Sequence, residues 1–323
     1  MLSEKIGKKT ASSYEISHAG KNAEMAPVVT VRTSTYNHAE FIVQCIESIL
    51  MQKTNFAFEY IIGEDFSTDG TREIVLDYAK KYPGIIRVIT ADRNVGFKAN
   101  GMRCINAARG KYMALCEGDD FWIDEYKLQK QFDYMESHPE CAICTTLGVE
   151  RPHLCGDAPD LLKPTEGART YTHDWFLSGR TGMLTASIFF RFEWFRPEVS
   201  INTKILIGDW ALFTSLTENG RTCAVLPLIS VVYRQHEGGV WSSRKKDPVF
   251  KLNSQKVAFQ EYLKVAPPED HSALQAHIEL IDAKIEFISH KGSRRGAMIG
   301  LLGSSAGRRF LWEIVLKKWK SLF

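Results

Sequence analysis

The residues best placed to do chemistry lie in Glu117-Gly118-Asp119-Asp120, where three carboxylates fall within four positions. Carboxylates this close repel one another, so they sit comfortably only in open solvent or around a cation or a basic partner. Read alone, the tetrapeptide is better explained by a solvated acidic turn than by a site. Its position in the chain separates the two.

Tyr112 to Cys116, a short apolar run, breaks straight into the carboxylates, and Phe121 and Trp122 follow. That order predicts a buried strand ending in a tight loop. The pattern repeats upstream. Val28 to Val31 reads as a strand feeding Arg32-Thr-Ser-Thr-Tyr-Asn-His38, then a helix with Phe41, Ile42, Cys45, Ile46, Ile49 and Leu50 at helical spacing. Phe58 to Ile62 is a second strand, ending at Glu64-Asp65, and Ser67 to Thr71 caps the next helix. Ile85 to Thr90 is a third strand, Phe97 to Ala108 a helix, Tyr126 to Glu136 another, and Cys141 to Thr146 a fifth strand.

Strands alternating with helices specify an α/β fold with a mostly parallel central sheet flanked by helices. In such sheets ligands bind outside the carboxyl ends of the strands. Thr33 to Asn37, Glu64-Asp65, Asp92-Arg93-Asn94 and Glu117 to Asp120 each follow a strand, so they are expected on one rim. No GxGxxG follows the first strand and no GxxxxGK[ST] occurs, which excludes a dinucleotide-binding Rossmann domain and a P-loop. Any phosphate here must be neutralised by a metal and side chains.

Beyond this block, Leu147 to Thr170 reads as a loop rich in Pro, Gly and Asp. Met183 to Arg191 reads as a strand, Asp209 to Glu218 as a helix, and Cys223 to Arg234 as a strand pair split at Pro227. This second block looks too small for a core of its own and is expected to continue the first domain. After Trp241 the chain turns helical.

Bulk properties agree with a globular protein. The chain has 323 residues, 44% hydrophobic and 24% charged, enough for a sizeable core. A net charge of +3 gives no reason to expect nucleic acid as a partner. Seven scattered cysteines, several in apolar runs, fit a reducing compartment better than a disulfide framework. Cys141 and Cys144 have CxxC spacing, but in a strand such residues do not converge as zinc ligands. Residues 1–26 are polar with no apolar signal-peptide core, and are expected to be a disordered leader.

The motifs in this order resemble a family 2 glycosyltransferase of the GT-A fold, inverting and of the bacterial surface-polysaccharide type. The likeness rests on Thr35-Tyr-Asn-His38, Glu64-Asp-Phe-Ser-Thr-Asp-Gly-Thr71, Asn94-Val-Gly96, Ala107-Ala-Arg-Gly-Lys-Tyr112 and Glu117-Gly-Asp-Asp-Phe-Trp122. It continues in Ile207-Gly-Asp-Trp210 and Tyr233-Arg-Gln-His-Glu-Gly-Gly-Val-Trp-Ser242. The resemblance implies a catalytic domain over residues 27–245 and a helical extension over 246–323. It also implies a nucleotide-sugar donor, a saccharide or lipid-linked acceptor, and Mn²⁺ or Mg²⁺ as cofactor.

On that likeness, Asp119 and His236 hold the metal and Glu117 faces the ribose or sugar. Glu64 and Asp65 read the base and ribose, and Thr33 lines the base pocket. Tyr36, Arg93, Asn94 and Asp120 complete the donor site, and Arg234 and Trp241 close over it. Asp209 is the general base that takes the acceptor proton, with a helix N-cap as its structural alternative. Ser34 stands where the family usually has Pro, and Glu64 and Glu117 where many members have Asp. No QxxRW follows Asp209, which implies single addition rather than processive synthesis.

The last segment places Leu311, Trp312, Val315, Leu316, Trp319, Leu322 and Phe323 on one helical face and Arg309, Glu313, Lys317 and Lys320 on the other. Such a helix suits either an anionic membrane interface, through residues 307–323, or packing against protein. A cytoplasmic location follows, either free or peripheral on the inner face of the cytoplasmic membrane. Two other functions fit the same fold: a nucleotidyltransferase that makes sugar nucleotides, releasing pyrophosphate, and a non-catalytic scaffold.

Overall fold

The computed structural model describes residues 13–17, 26–152, 167–180, 182–200, 205, 208–239, 247–289, 303–310 and 312. It divides into two compact units: one takes the chain to Thr172 with Gly182–Phe195 and Leu216–His236, the other takes His173–Thr181, Arg196–Ser215 and the chain from Glu237.

The strands of the first unit are β1 (Ser13–Ser17), β2 (Val29–Thr35), β3 (Phe58–Glu64), β4 (Ile86–Ala91) and β5 (Tyr112–Leu115). β6 (Phe121–Trp122), β7 (Cys141–Pro152), β8 (Arg169–Tyr171), β9 (Phe189–Arg191) and β10 (Thr222–Gln235) follow. They form one sheet in the order β1-β4-β3-β2-β5-β9-β7-β10-β6, with β8 also paired to β10. The pairs β4–β3, β3–β2, β2–β5 and β7–β10 are parallel, and the rest are antiparallel.

Alternation along the central strands explains the two covered faces. Val29, Val31, Tyr60, Ile62 and Val88 join one apolar core with Ile42, Cys45, Ile46 and Ile49 of helix Ile42–Leu50 and with Val75 and Ala79 of helix Thr71–Lys81. Ile61 and Ile89 point the other way, to Cys104 of helix Phe97–Ala107. Each such buried aliphatic side chain contributes about 1.5–3 kcal/mol. Gly110 lets the chain enter β5, because a Cβ there would lie 2.4 Å from the backbone nitrogen of Thr30.

Four expectations change. Within the stretch expected as a disordered leader, β1 pairs antiparallel with the edge of β4, fixed by two hydrogen bonds from Arg87 to Glu15 at 2.7 and 2.8 Å. β7 runs on to Pro152, into the stretch expected as loop, because β10 pairs with it along that length. β10 is one strand rather than two, since register shifts between Leu226 and Val231 absorb Pro227, which has no N–H to give a ladder. Of Met183 to Arg191, Phe189–Arg191 is strand. Ser187 folds Thr185–Ser187 into a 3₁₀ turn by donating its N–H and hydroxyl to the Leu184 carbonyl at 2.9 and 2.7 Å.

The second unit has its own core, against the expectation that this block only continues the first domain. Leu177, Val199, Ile205 and Trp210 pack with Ala258, Phe259 and Tyr262 of helix Pro248–Leu263 and with Leu274, Ile278 and Ile281 of helix His271–Ser289. The boundary expected at 245/246 therefore moves, because Trp210 and its neighbours find their apolar partners in the C-terminal helices. Helix Pro248–Leu263 starts cleanly: Asp247 accepts the N–H groups of Val249 and Phe250 at 2.9 and 3.0 Å, with Pro248 at the first helical position. Among the described residues no helix is long and apolar enough to cross a membrane. Trp312 is 63% exposed, while residues 311 and 313–323, which carry most of the amphipathic face, lie outside the described residues.

One charge lies inside the first unit. Lys127 is fully buried, its ammonium 4.2 Å from the centre of the Trp122 ring and donating to Gln131 Oε1 at 2.7 Å. Burial lowers its pKa from 10.5 to about 7. A lysine depressed in the folded state destabilises it fully below pH 7, and that cost fades as pH rises toward the unfolded value. Lys127→Met is expected to stabilise the protein by about 1–3 kcal/mol near pH 6–7, the gain vanishing by about pH 10, in urea titrations across pH.

Candidate functional site

The carboxyl ends of β2, β3, β4 and β5 converge as expected. Cys116 and Gly118 donate their N–H groups to the carbonyls of Arg32 and Ser34 at 3.1 and 3.0 Å, so the acidic turn is strapped to the end of β2. Asp65 donates its N–H to the Thr35 carbonyl at 3.1 Å, bringing the end of β3 alongside. Gly118 is required here, because a Cβ would fall 2.7 Å from Thr35 Oγ1 and 2.9 Å from His38 Nδ1.

The three carboxylates then part company. Arg32 Nη2 donates to Glu117 Oε1 at 2.5 Å. Burial still pushes the Glu117 carboxyl above its ordinary value, with Arg32 opposing. Asp119 pairs with His236 Nε2 at 3.0 Å. Burial acts to raise its carboxyl, but the His236 hydrogen bond and the nearby charge of His38 outweigh this and hold it below the usual range. Asp120 turns inward to accept the Arg234 N–H at 3.0 Å, and burial, then the charge of Asp119, push it well above the carboxylate range.

Arg234 serves as a staple, whereas it was expected to close over a ligand. It donates to the Asp119 carbonyl at 2.7 Å and to Gln44, and its guanidinium lies 4.3 Å from the Phe121 ring and 5.3 Å from the Phe41 ring. The planar fork suits this double role in a way a lysine cannot reproduce. Arg234→Met, which keeps most of the packing, is expected to cost about 1–3 kcal/mol in chemical denaturation, with Arg234→Lys recovering only part.

Around the turn several buried polar atoms have no protein partner: Ser34 Oγ, Thr35 Oγ1, His38 Nδ1 and Arg32 Nε. His38 and His236 lie edge to face at 6.1 Å, and Phe41 packs 4.7 Å from His236. Burial lowers the pKa of His38, favouring the neutral ring. Among the described residues no three His, Cys, Asp or Glu side chains are grouped to hold a metal by themselves.

The other expected residues are placed as follows. Glu64 is buried and accepts from Ser67 N at 2.6 Å and Thr90 Oγ1 at 2.8 Å. Asp65 is also buried, and accepts the N–H groups of Val95 and Gly96, both at 2.9 Å, which fixes the start of helix Phe97–Ala107. Thr33 is fully buried and accepts the Tyr60 hydroxyl at 3.0 Å, behind the surface it was expected to line. Tyr36 is 44% exposed at the end of β2. Arg93 and Asn94 are exposed, and Asn94 Oδ1 accepts from Gly96 N at 2.9 Å.

Asp209 belongs to the second unit, in the first turn of helix Gly208–Leu216, and accepts the Trp210 N–H at 2.9 Å. This is not the N-cap contact of its structural alternative, since Asp209 lies within the helix and accepts the N–H of the next residue rather than one two or three further on. That helix is anchored by Trp210 Nε1 donating to the Phe176 carbonyl at 2.9 Å. Trp241 lies outside the described residues.

Arg32, His38 and Gln44 were not singled out from the sequence. Arg32 had a signal: a charged residue inside Val29-Thr-Val-Arg-Thr-Ser-Thr35, an otherwise uncharged strand between two buried neighbours, needs a buried partner.

Residues 30–175 match the Glycosyl transferase family 2 profile. An uncharacterized protein of Mycobacterium tuberculosis (strain H37Rv) is 34% identical over 219 residues, which cover 68% of this chain and 62% of the relative. The chain thus spans under two-thirds of that relative's length. TuaG of Bacillus subtilis, named provisionally as a teichuronic acid biosynthesis glycosyltransferase, is 35% identical over 120 residues, covering 37% of this chain and 46% of TuaG. Among solved structures, residues 1–349 of S. aureus TarS in complex with UDP-GlcNAc superpose with a TM-score of 0.55 at 20% identity, covering 80% of this chain and 71% of that one. The mannosyltransferase PcManGT from Pyrobaculum calidifontis, with GDP-Man and Mn²⁺, gives 0.57 at 16% identity over 100% of this chain and 87% of that one. At such identities these structures speak for the GT-A fold alone. The likeness to glycosyl transferase family 2 thus covers residues 30–175, under half of the chain, and takes in the strand-end motifs and the parallel centre of the sheet.

Proposed function

We propose that this protein transfers a sugar from a nucleoside-diphosphate sugar to an acceptor hydroxyl, with inversion, in the synthesis of a surface polysaccharide or glycolipid. The observation that carries this reading is the Asp119–His236 pair at 3.0 Å beside the unpartnered buried atoms of Ser34, Thr35 and His38. Buried polar atoms left without partners mark a place for a polar ligand. The name of TuaG supports the polymer class, and the titles of the TarS and PcManGT structures support a sugar nucleotide as donor.

The donor set fits a divalent cation that takes its remaining ligands from phosphates. One carboxylate and one imidazole are too few for a closed cage, and suit Mn²⁺ or Mg²⁺ shared with a substrate. Asp119 and His236 would hold it, and it would neutralise the diphosphate and so ease its departure. Arg32 keeps Glu117 aimed at the donor, and Arg234 holds the Asp119 backbone in place. Asp209 accepts the proton of the attacking hydroxyl, and attack from the face opposite the departing diphosphate inverts the anomeric carbon.

A thermal-shift panel of UDP-, GDP- and ADP-sugars, each with and without Mn²⁺, tests the reading. A ligand at a hundredfold its Kd stabilises by about 2.7 kcal/mol, so one sugar nucleotide is expected to raise Tm by several degrees only when Mn²⁺ is present. Turnover must then release nucleoside diphosphate. Pyrophosphate as the product would point to nucleotidyl transfer, and no cation-dependent shift would point to a scaffold.

A further inference from the structure

Phe66 follows Asp65 at the carboxyl end of β3 with φ of 63°. A bulky side chain in the left-handed region is an outlier that persists where its surroundings over-determine it. Here they do. Asn37 N donates to Ser67 Oγ at 3.0 Å, Thr68 N to Asn37 Oδ1 at 2.9 Å, and Ser67 N to Glu64 at 2.6 Å, so the two strand-end turns are laced together. The result is an aromatic ring kept 39% exposed on the rim.

The ring is backed by a cation. The Arg72 guanidinium lies 5.5 Å from its centre. Arg72 is itself tied to the Ala91 carbonyl at 3.1 Å, to Glu64 at 3.4 Å and to the Tyr14 hydroxyl of β1 at 2.7 Å. Glu64 and Asp65, the neighbouring carboxylates, are turned inward onto their own hydrogen bonds, so they offer little to a ligand at this strand end.

We propose that Phe66 is a stacking platform for the base of the nucleotide donor, and that the N-terminal strand β1 steadies it through Tyr14 and Arg72. The proposal rests on the nucleotide-sugar reading above. A rigid ring with a guanidinium beside it suits a flat, uncharged heteroaromatic ring, and stacking of this kind tolerates any base because every base has a π-face. A phosphate would gain nothing from it.

Isothermal titration of the full chain with UDP, GDP and inorganic pyrophosphate, all with Mn²⁺, tests this. Phe66→Gly removes the ring at a backbone angle that glycine adopts freely, so its Tm is expected to equal or exceed that of the wild type. Nucleotide Kd is expected to rise at least about fivefold while pyrophosphate Kd stays unchanged. Tyr14→Phe, which frees one side of Arg72, is expected to weaken the nucleotide about two- to threefold. An unchanged nucleotide Kd in Phe66→Gly, or an equal loss for nucleotide and pyrophosphate, overturns the platform. An unchanged Kd in Tyr14→Phe overturns the part given to β1. Wild-type protein that binds none of the three overturns the donor reading, and the platform with it.

Discussion

Asp119→Ala is expected to lower sugar transfer by about 10³-fold while the protein stays folded. Asp119 is the carboxylate of the acidic turn that is both paired with a histidine and held ionised, whereas Glu117 is engaged by Arg32 and Asp120 by the Arg234 backbone. Removing it leaves a buried cavity lined by His38 and His236, with no anionic ligand for a cation. The fold should survive, because the turn is strapped to β2 through backbone bonds at Cys116 and Gly118. Release of nucleoside diphosphate measures the loss, and far-UV circular dichroism checks the fold. A rate within tenfold of the wild type would remove Asp119 from the chemistry. His236→Ala is expected to fall less, by about 10–100-fold, since an imidazole is more readily replaced by water.

Asp209→Asn is the second large effect. Asparagine keeps the shape and can still accept the Trp210 N–H within helix Gly208–Leu216. What is lost is the capacity to take a proton, for which a fall of about 10²–10⁴-fold in kcat is expected. Kd for the donor should stay within twofold, because no step of donor binding uses that proton. Transfer at wild-type rate in this variant would falsify the base assignment. A parallel loss of donor affinity would instead make Asp209 a binding residue.

Much of this was legible in the sequence, for a physical reason. Central parallel strands are buried on both faces and must end in polar turns, so Val29 to Val31, Phe58 to Ile62 and Tyr112 to Cys116 announced both themselves and the rim. Where reading failed, long-range pairing decided the outcome. β1 forms because β4 offers an open edge and Arg87 a partner for Glu15, neither of which local composition reveals. The bulge that carries β10 past Pro227 depends on β7. Within the site, carboxylate identity was readable but division of labour was not. Asp120 and Asp119 are adjacent and identical in type, and the position of the Arg234 backbone and His236, more than a hundred residues away, makes one structural and the other available. The second unit was missed because Trp210 looked like an ordinary helix residue, with no hint that its partners lay at Phe259 and Tyr262.

The cysteines have a practical consequence. Cys45, Cys104, Cys116, Cys141, Cys144 and Cys223 are all buried and free, and for Cys104, Cys116, Cys141, Cys144 and Cys223 burial drives the thiol pKa upward. A thiol that cannot ionise or meet solvent does not alkylate. These six thiols therefore act as a clock: each reacts only when its own piece of structure opens. Cys116 stands one residue before Glu117 and keeps time for the acidic turn, while Cys223 does so for the far edge of β10. Labelling rates read by mass spectrometry would rank those openings directly, and a ligand seated on the turn should slow Cys116 while leaving Cys223 as it was.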